Sequence, residues 1–125
     1  MNAATMPAPQ LAMLLAQTAD GICAEAAAVA LISAHGHFLH EPAFRRIIAA
    51  GSAISGEPAA VIRWNAAIWA LEHGRLTCSP PERAVLQIAA SIAEPGIAVR
   101  LGASLGSLDR CNIALVAGAI TAANG

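Results

Sequence analysis

The spacing of apolar residues predicts short helices along most of the chain. Apolar side chains recur every three or four positions, the period of an amphipathic helix rather than that of a strand. Near residue 48, for example, Phe44, Ile47 and Ile54 share one helical face, and Arg45 and Arg46 lie opposite. The pattern predicts seven helices, at residues 9–18, 20–34, 42–54, 58–73, 80–93, 96–104 and 108–122.

Residues that start and stop helices support these boundaries. The strongest signal is Ser79-Pro80-Pro81-Glu82. Ser79 suits the N-cap, Glu82 completes a capping box, and Pro80 fits the first turn, where an N–H has no intrahelical partner. Glutamate–proline pairs at 41–42, 57–58 and 94–95 indicate further helix starts, and glycines at 36, 56 and 74 suit C-caps.

The predicted fourth helix, residues 58–73, is apolar on two sides. One stripe combines Val61, Trp64, Ile68 and Leu71, and a second combines Ile62 and Trp69. A helix of this kind is normally surrounded by others. We therefore expect an all-α fold, a compact bundle of six or seven short helices around 58–73. The chain reads as one domain, 1–125, with a flexible N-terminus at 1–8, and the sixth segment also fits an extended conformation.

Composition favours packed helices and argues against several functions. Alanine, the best helix former, accounts for 32 of 125 residues, and lysine and tyrosine are absent. The net charge is −1, so there is no large field to attract nucleic acid or anionic lipid. Charged residues make up only 12% of the chain, about half the usual share. A surface so poor in charge favours coverage by a second subunit, which predicts a homo-oligomer.

No membrane or secretory signal is evident. The first eight residues lack a basic region and carry a proline, and the longest uncharged interior run, 26–40, has 15 residues and three histidines. A bilayer span needs about 20 apolar residues. The three cysteines (Cys23, Cys78 and Cys111) are odd in number and far apart, which fits reduced thiols. These features predict a cytoplasmic protein that does not insert into membranes.

The segment His35–Glu41 is the candidate metal or small-ligand site. It holds His35, His37, His40 and Glu41, and imidazoles and carboxylates are competent zinc ligands. No H-E-x-x-H or paired-cysteine motif accompanies them. The alternative is a helix C-terminus, at which His35 interacts with the helix dipole, followed by a polar connector. We assign no residue to metal or cofactor binding.

No catalytic constellation is apparent, which argues against an enzyme. Gly102-Ala103-Ser104-Leu105-Gly106 matches the nucleophile-elbow pattern, but that motif needs a later histidine, and none follows residue 73. The acidic residues are scattered, and no phosphate-binding glycine loop is present. We assign no catalytic residue.

Two further features bear on partners. Residues 45–63 resemble a helix-turn-helix carrying Arg45, Arg46 and Arg63, but the second helix would open with Pro58, Ala59 and Ala60, which cannot read bases. Nucleic-acid binding is therefore disfavoured. Of the two tryptophans, Trp64 is expected in the core and Trp69 in a groove or subunit contact.

The C-terminal half resembles a known group of proteins. The similarity lies in residues 74–79, 82–83 and 89–91, in Leu108-Asp109 with Asn112, and in the ending 122–125. These segments resemble the C-terminal half of small helical proteins of actinobacteria to which no activity is assigned. The resemblance implies a soluble cytoplasmic helical protein and no catalytic residues.

These observations favour a non-catalytic interaction or scaffolding module that binds a protein partner or itself through apolar helix faces. Two alternatives stay open. One is a metal- or small-ligand-binding sensor that uses His35–Glu41, and the other is a DNA-binding regulator that uses Arg45, Arg46 and Arg63.

Overall fold

The protein is mostly helical, with one small sheet. The structure, a computed structural model, describes residues 2–125. In chain order the elements are α1 (Ala8–Ala19), α2 (Cys23–His35), a 3-10 turn (Phe38–His40), α3 (Pro42–Arg45), β1 (Ile48–Ser52), β2 (Pro58–Ile62), α4 (Trp64–Glu72), α5 (Pro80–Ala93), α6 (Leu101–Leu105) and α7 (Arg110–Ala123). None of these helices has the length and apolar character needed to cross a bilayer.

Local capping signals fix several helix ends where the sequence predicts them. At the start of α5, the Glu82 N–H donates to Ser79 Oγ at 3.4 Å, and the Ser79 N–H donates to Glu82 Oε1 at 2.8 Å. This reciprocal pair is the predicted capping box. Gly36 ends α2 with a φ of +92°, a conformation that side chains other than glycine rarely adopt.

Residues 48–62 form a β-hairpin where the sequence pattern predicts two helices. The strands pair antiparallel from Ile48 opposite Ile62 to Ser52 opposite Pro58. Burial alternates along β2 as it does in a strand: Ala60 and Ile62 are buried, and Val61 between them is 43% exposed. The turn closes through a hydrogen bond from the Ala53 N–H to the Glu57 carbonyl. The all-α expectation is therefore wrong over the hairpin, and the predicted helices 42–54 and 58–73 are cut short by it.

The core is centred on α2 and α5 rather than on residues 58–73. Helix α2 packs against α1, α5 and α7, and α5 packs against α2, α4, α6 and α7. The predicted central helix is wrong for two reasons. Its first five residues belong to β2, and Trp69 on its second apolar stripe is 52% exposed. Helix α2 has apolar or small residues on all sides, and its small alanines allow three helices to approach it closely.

Two further segments, around α6 and before α1, also differ from what the sequence pattern predicts. Residues 97–100 are irregular, and α6 covers Leu101–Leu105 where the pattern predicts a helix over 96–104. Before α1, in the segment for which the sequence predicts flexibility, Ala3 and Met6 lie in the core. The Arg45 guanidinium donates to the Met6 carbonyl and ties this segment to α3.

Candidate functional site

The exposed half of α7 is a nearly uncharged helix face. Val116 and Ala119 point into the core, and the opposite side of the helix is open to solvent. Along that side run Arg110, Ala114, Ala117, Gly118 and Thr121, all exposed, at spacings of three and four residues. We call these five residues the α7 stripe. Its only formal charge is at its N-terminal end, on Arg110.

Two isoleucines widen this apolar surface. Ile113 is 37% exposed and Ile120 is 49% exposed, and both lie on one flank of the α7 stripe. The sequence pattern groups them with Val116 as one core-facing stripe. Only Val116 is buried, because the core contacts of α7 are centred on Val116 and Ala119. Exposed apolar residues that adjoin one another in this way mark interaction surfaces more often than isolated ones do.

Gly118 is in the interior of α7 without a structural reason within the chain. Its φ is not positive, and a Cβ built on it meets no atom within 4 Å. Glycine inside a helix costs about 1 kcal/mol relative to alanine. Fold stability alone would therefore favour alanine at this exposed position. A glycine fits where another backbone approaches the helix closely.

The histidine segment joins two helices and does not converge on a metal site. The His37 Nδ1 lies 3.2 Å from Glu82 Oε2, and its Nε2 lies 3.2 Å from the Thr77 carbonyl oxygen. Both neighbours are acceptors, so the doubly protonated ring can donate to both. The segment thus links the end of α2 to the start of α5. Across residues 2–125, no three His, Cys, Asp or Glu side chains are placed to hold a metal ion together.

His35 and His40 take no part in that hydrogen-bonded contact: His40 is exposed, and His35 lies near Glu82 without bonding to it. The His35 ring is near the Phe38 ring, with centroids 6.1 Å apart, and its Nδ1 is buried without a partner. Burial lowers the pKa of His35, with Glu82 and Asp109 opposing the shift. His35 is therefore neutral at neutral pH.

The loss of folding stability at low pH should depend on Glu82. Hydrogen bonding to the Ser79 backbone lowers the pKa of the Glu82 carboxyl, and the nearby His37 and His35 act in the same direction. A lowered pKa gives stability that is present at neutral pH and is lost as the pH falls through that pKa. We expect Glu82→Gln, which keeps an acceptor for the capping box but loses the negative charge at the helix N-terminus, to lower the free energy of unfolding at pH 7 by about 0.3–1 kcal/mol and to flatten the loss in acid. Urea unfolding between pH 7 and pH 3 measures both, with the exposed Glu72→Gln as the control. Identical profiles for both variants would contradict this.

The arginines proposed for DNA contacts bind main-chain carbonyls of the same chain. The Arg63 Nε donates to the Ile47 carbonyl at 2.9 Å, and its Nη2 donates to the Arg46 carbonyl at 3.3 Å. The Arg45 guanidinium likewise donates to the Met6 carbonyl. Residues 48–62 of the segment weighed as a helix-turn-helix form the β-hairpin, so no recognition helix exists there. Within this set, Arg46 remains the exposed side chain without such a bond.

The two tryptophans differ in their surroundings. Trp64 is 6% exposed, and its indole N–H donates to both Glu25 oxygens, at 2.9 and 3.1 Å. Sequence reasoning missed this partner, because Glu25 lies 39 residues away along the chain. Trp69 is 52% exposed and stacks on His73, with ring centroids 4.1 Å apart. Its role in a subunit contact stays a prediction.

Cys78 and the serine of the elbow pattern are not placed as activated nucleophiles. Burial raises the pKa of Cys78 to about 11, so its thiol is protonated at neutral pH. Cys23 and Cys111 are exposed. Ser104 is buried within the short helix α6, not on the strand-to-helix turn that a nucleophile elbow requires.

An open groove of about 890 Å³ lies between α1 and the hairpin. Met13, Leu14 and Pro58 contribute apolar surface, and Gln17 and Glu57 contribute polar groups. No cluster of reactive groups lies in it. Comparison with protein-family models, with curated proteins and with solved structures gave no significant match.

Proposed function

We propose that this protein is a non-catalytic interaction module that self-associates through the exposed face of α7. The observation that carries the proposal is the α7 stripe with Gly118 inside it. The stripe is uncharged over its length apart from one end, and a Cβ added to its glycine would meet no other atom of the chain. Small residues let two helices pack with their backbones close together, which gives many van der Waals contacts over a short length.

A second copy of this chain is the occupant that the charges favour. The one charge of the stripe, Arg110, lies at the N-terminal end of α7. When two α7 helices pair antiparallel, each Arg110 lies beside the C-terminal end of the other helix, where the unpaired carbonyls carry partial negative charge. The helix dipoles also oppose each other. A strongly charged partner would find no matching charges along the rest of the face.

The length of α7 also sets the expected affinity of the self-association. Helix α7 has 14 residues and is about 21 Å long, so one helix pair gives a small interface. Interfaces at the low end of the size range are usually weak or transient. We therefore expect a contact that dissociates in the micromolar range.

Ala117→Glu tests the α7 contact directly. Alanine 117 is exposed, so a glutamate there leaves the monomer nearly unchanged in stability. In the paired state the carboxylate would be buried against a second helix without a partner, which should raise the Kd by roughly 100-fold. Sedimentation equilibrium of wild type and variant measures this. Ala16→Glu, on the exposed side of α1, is the matched control.

Gly118→Ala separates a role in association from a role in folding. The added methyl group should raise the free energy of unfolding of the monomer by about 1 kcal/mol and weaken association. Equal masses for wild type, Ala117→Glu and Ala16→Glu at every concentration would overturn the α7 proposal.

A further inference from the structure

The two edges of the hairpin differ in what packs against them. Strand β2 packs against α1, and the N–H of Ala60 donates to Thr18 Oγ1 at 3.0 Å. Pro58, two residues earlier, has no N–H to satisfy. The β2 edge is thus covered. No helix packs closely along the outer edge of β1.

The main-chain groups of Ala50 point toward that open edge. In an antiparallel ladder, residues directly opposite each other direct their N–H and C=O groups either both inward or both outward. Ala60 directs its N–H outward to Thr18, so Ala50, its partner in register, does the same on the other side. The same holds for Ile48 and Ser52. No turn, loop or side-chain hydrogen bond among residues 2–125 engages Ala50.

Nothing in β1 guards this edge. The strand Ile48–Ser52 has no charge and no proline, and its register with β2 runs without a bulge. Proteins usually protect an exposed edge with one of these devices. We propose that β1 is a docking edge for the β1 strand of a second copy, which pairs antiparallel about Ala50 to form a continuous four-stranded sheet.

Charge complementarity favours a second copy in this orientation. One end of β1 adjoins the exposed Arg46, and the other leads into the turn that carries Glu57. Antiparallel pairing centred on Ala50 places the Arg46 end of each copy beside the Glu57 turn of the other. Parallel pairing would bring like charges together at both ends. Ile48 of each copy would then lie opposite Ser52 of the other copy. Main-chain hydrogen bonds would join the two residues in each of these two pairs.

This inference deepens the proposed self-association but depends on no residue of α7. Two distinct two-fold contacts on one chain lead beyond a dimer, to a tetramer or a chain of alternating contacts. Blocking either contact alone should leave a dimer held by the other. The two proposals therefore fail separately.

Ser52→Lys is the test of the edge, and Ser55→Lys is its control. Both serines are exposed, but Ser52 lies on the edge and Ser55 lies in the turn. We expect Ser52→Lys to limit the mass to a dimer at high concentration, Ser55→Lys to behave as wild type, and Ser52→Lys with Ala117→Glu to be a monomer. Sedimentation velocity measures all four proteins.

Amide exchange gives a second readout that folding defects do not imitate. In the wild type, the amide of Ala50 should exchange more slowly as the protein concentration rises, while the inward-facing amide of Ala49 should be unaffected. Ser52→Lys should remove the concentration dependence. A Ser52→Lys protein with the wild-type mass, or an Ala50 amide whose exchange rate does not change with concentration, would overturn the edge proposal. An unchanged mass for Ala117→Glu alone would instead reject the α7 contact.

Discussion

Replacing Trp64 with alanine should lower the free energy of unfolding by about 3–5 kcal/mol, as is usual for deleting a buried tryptophan. The side chain is 6% exposed and belongs to the hydrophobic core. Its removal also takes away the indole N–H that donates to Glu25. A half-buried carboxylate would then lose its donor in addition to the lost packing. Urea unfolding followed by circular dichroism measures the change.

Trp64→Phe and Glu25→Gln separate the hydrogen bond from the packing. Burial raises the pKa of Glu25, and the nearby Glu94 adds to the shift, while the Trp64 hydrogen bond opposes it. A raised pKa means that the folded state favours the protonated carboxyl, so this stability is greatest in acid and is lost as the pH rises through that pKa. Trp64→Phe should cost about 1–3 kcal/mol at pH 7, because it leaves the carboxylate unpaired. In a Glu25→Gln background the same substitution should cost less.

Glu25→Gln alone should be close to neutral at pH 7. The amide oxygen still accepts from the indole, and no charge has to be buried. It should also remove the decline in stability with rising pH that Glu25 causes. An equal cost for Trp64→Phe in both backgrounds would show that the negative charge of Glu25 adds nothing to its hydrogen bond with Trp64.

Phe44→Ala should destabilise the fold by a similar amount, about 3–5 kcal/mol. Phe44 and Phe38 are both fully buried, and their ring centroids lie 5.1 Å apart in a tilted arrangement. Phe44 belongs to α3, which has only four residues and cannot form on its own. The aromatic pair therefore holds the connection between α2 and the hairpin against the core.

Ile54→Ala is the control for Phe44. Ile54 is a large apolar residue at the hairpin turn, and it is fully exposed. Its truncation should change the free energy of unfolding by less than about 0.5 kcal/mol. Chemical denaturation of both variants compares them directly. A cost for Phe44→Ala no larger than that for Ile54→Ala would mean that the aromatic pair does not support the fold.

The helix ends that the sequence predicts well are those set by neighbouring residues. The capping box of Ser79 and Glu82 and the left-handed Gly36 act within one turn of chain, so their signal is complete in the local sequence. Helix α5 therefore begins and ends where the pattern places it. The resemblance of the C-terminal half to actinobacterial helical proteins stays a prediction.

The hairpin could not be read in the same way. Its alanines and isoleucines fit both a helical and an alternating pattern over so short a run. The contacts that hold the hairpin are distant in sequence, such as the hydrogen bond from Ala60 to Thr18, 42 residues away. The sequence could not predict which face of α7 is exposed, for a related reason. Apolar spacing marks Ile113 and Ile120 as candidates for burial, but only the packing of α2 and α5 shows that Val116 and Ala119 take the core positions.

The central claim, that the chain self-associates through exposed uncharged surfaces, is tested most directly by sedimentation velocity from low micromolar to near-millimolar concentration. A single chain has a mass of 12.6 kDa. We predict a weight-average mass that rises with concentration to that of two or more chains, and a lower mass for Ala117→Glu than for Ala16→Glu. A constant mass of one chain across the whole range would contradict the account.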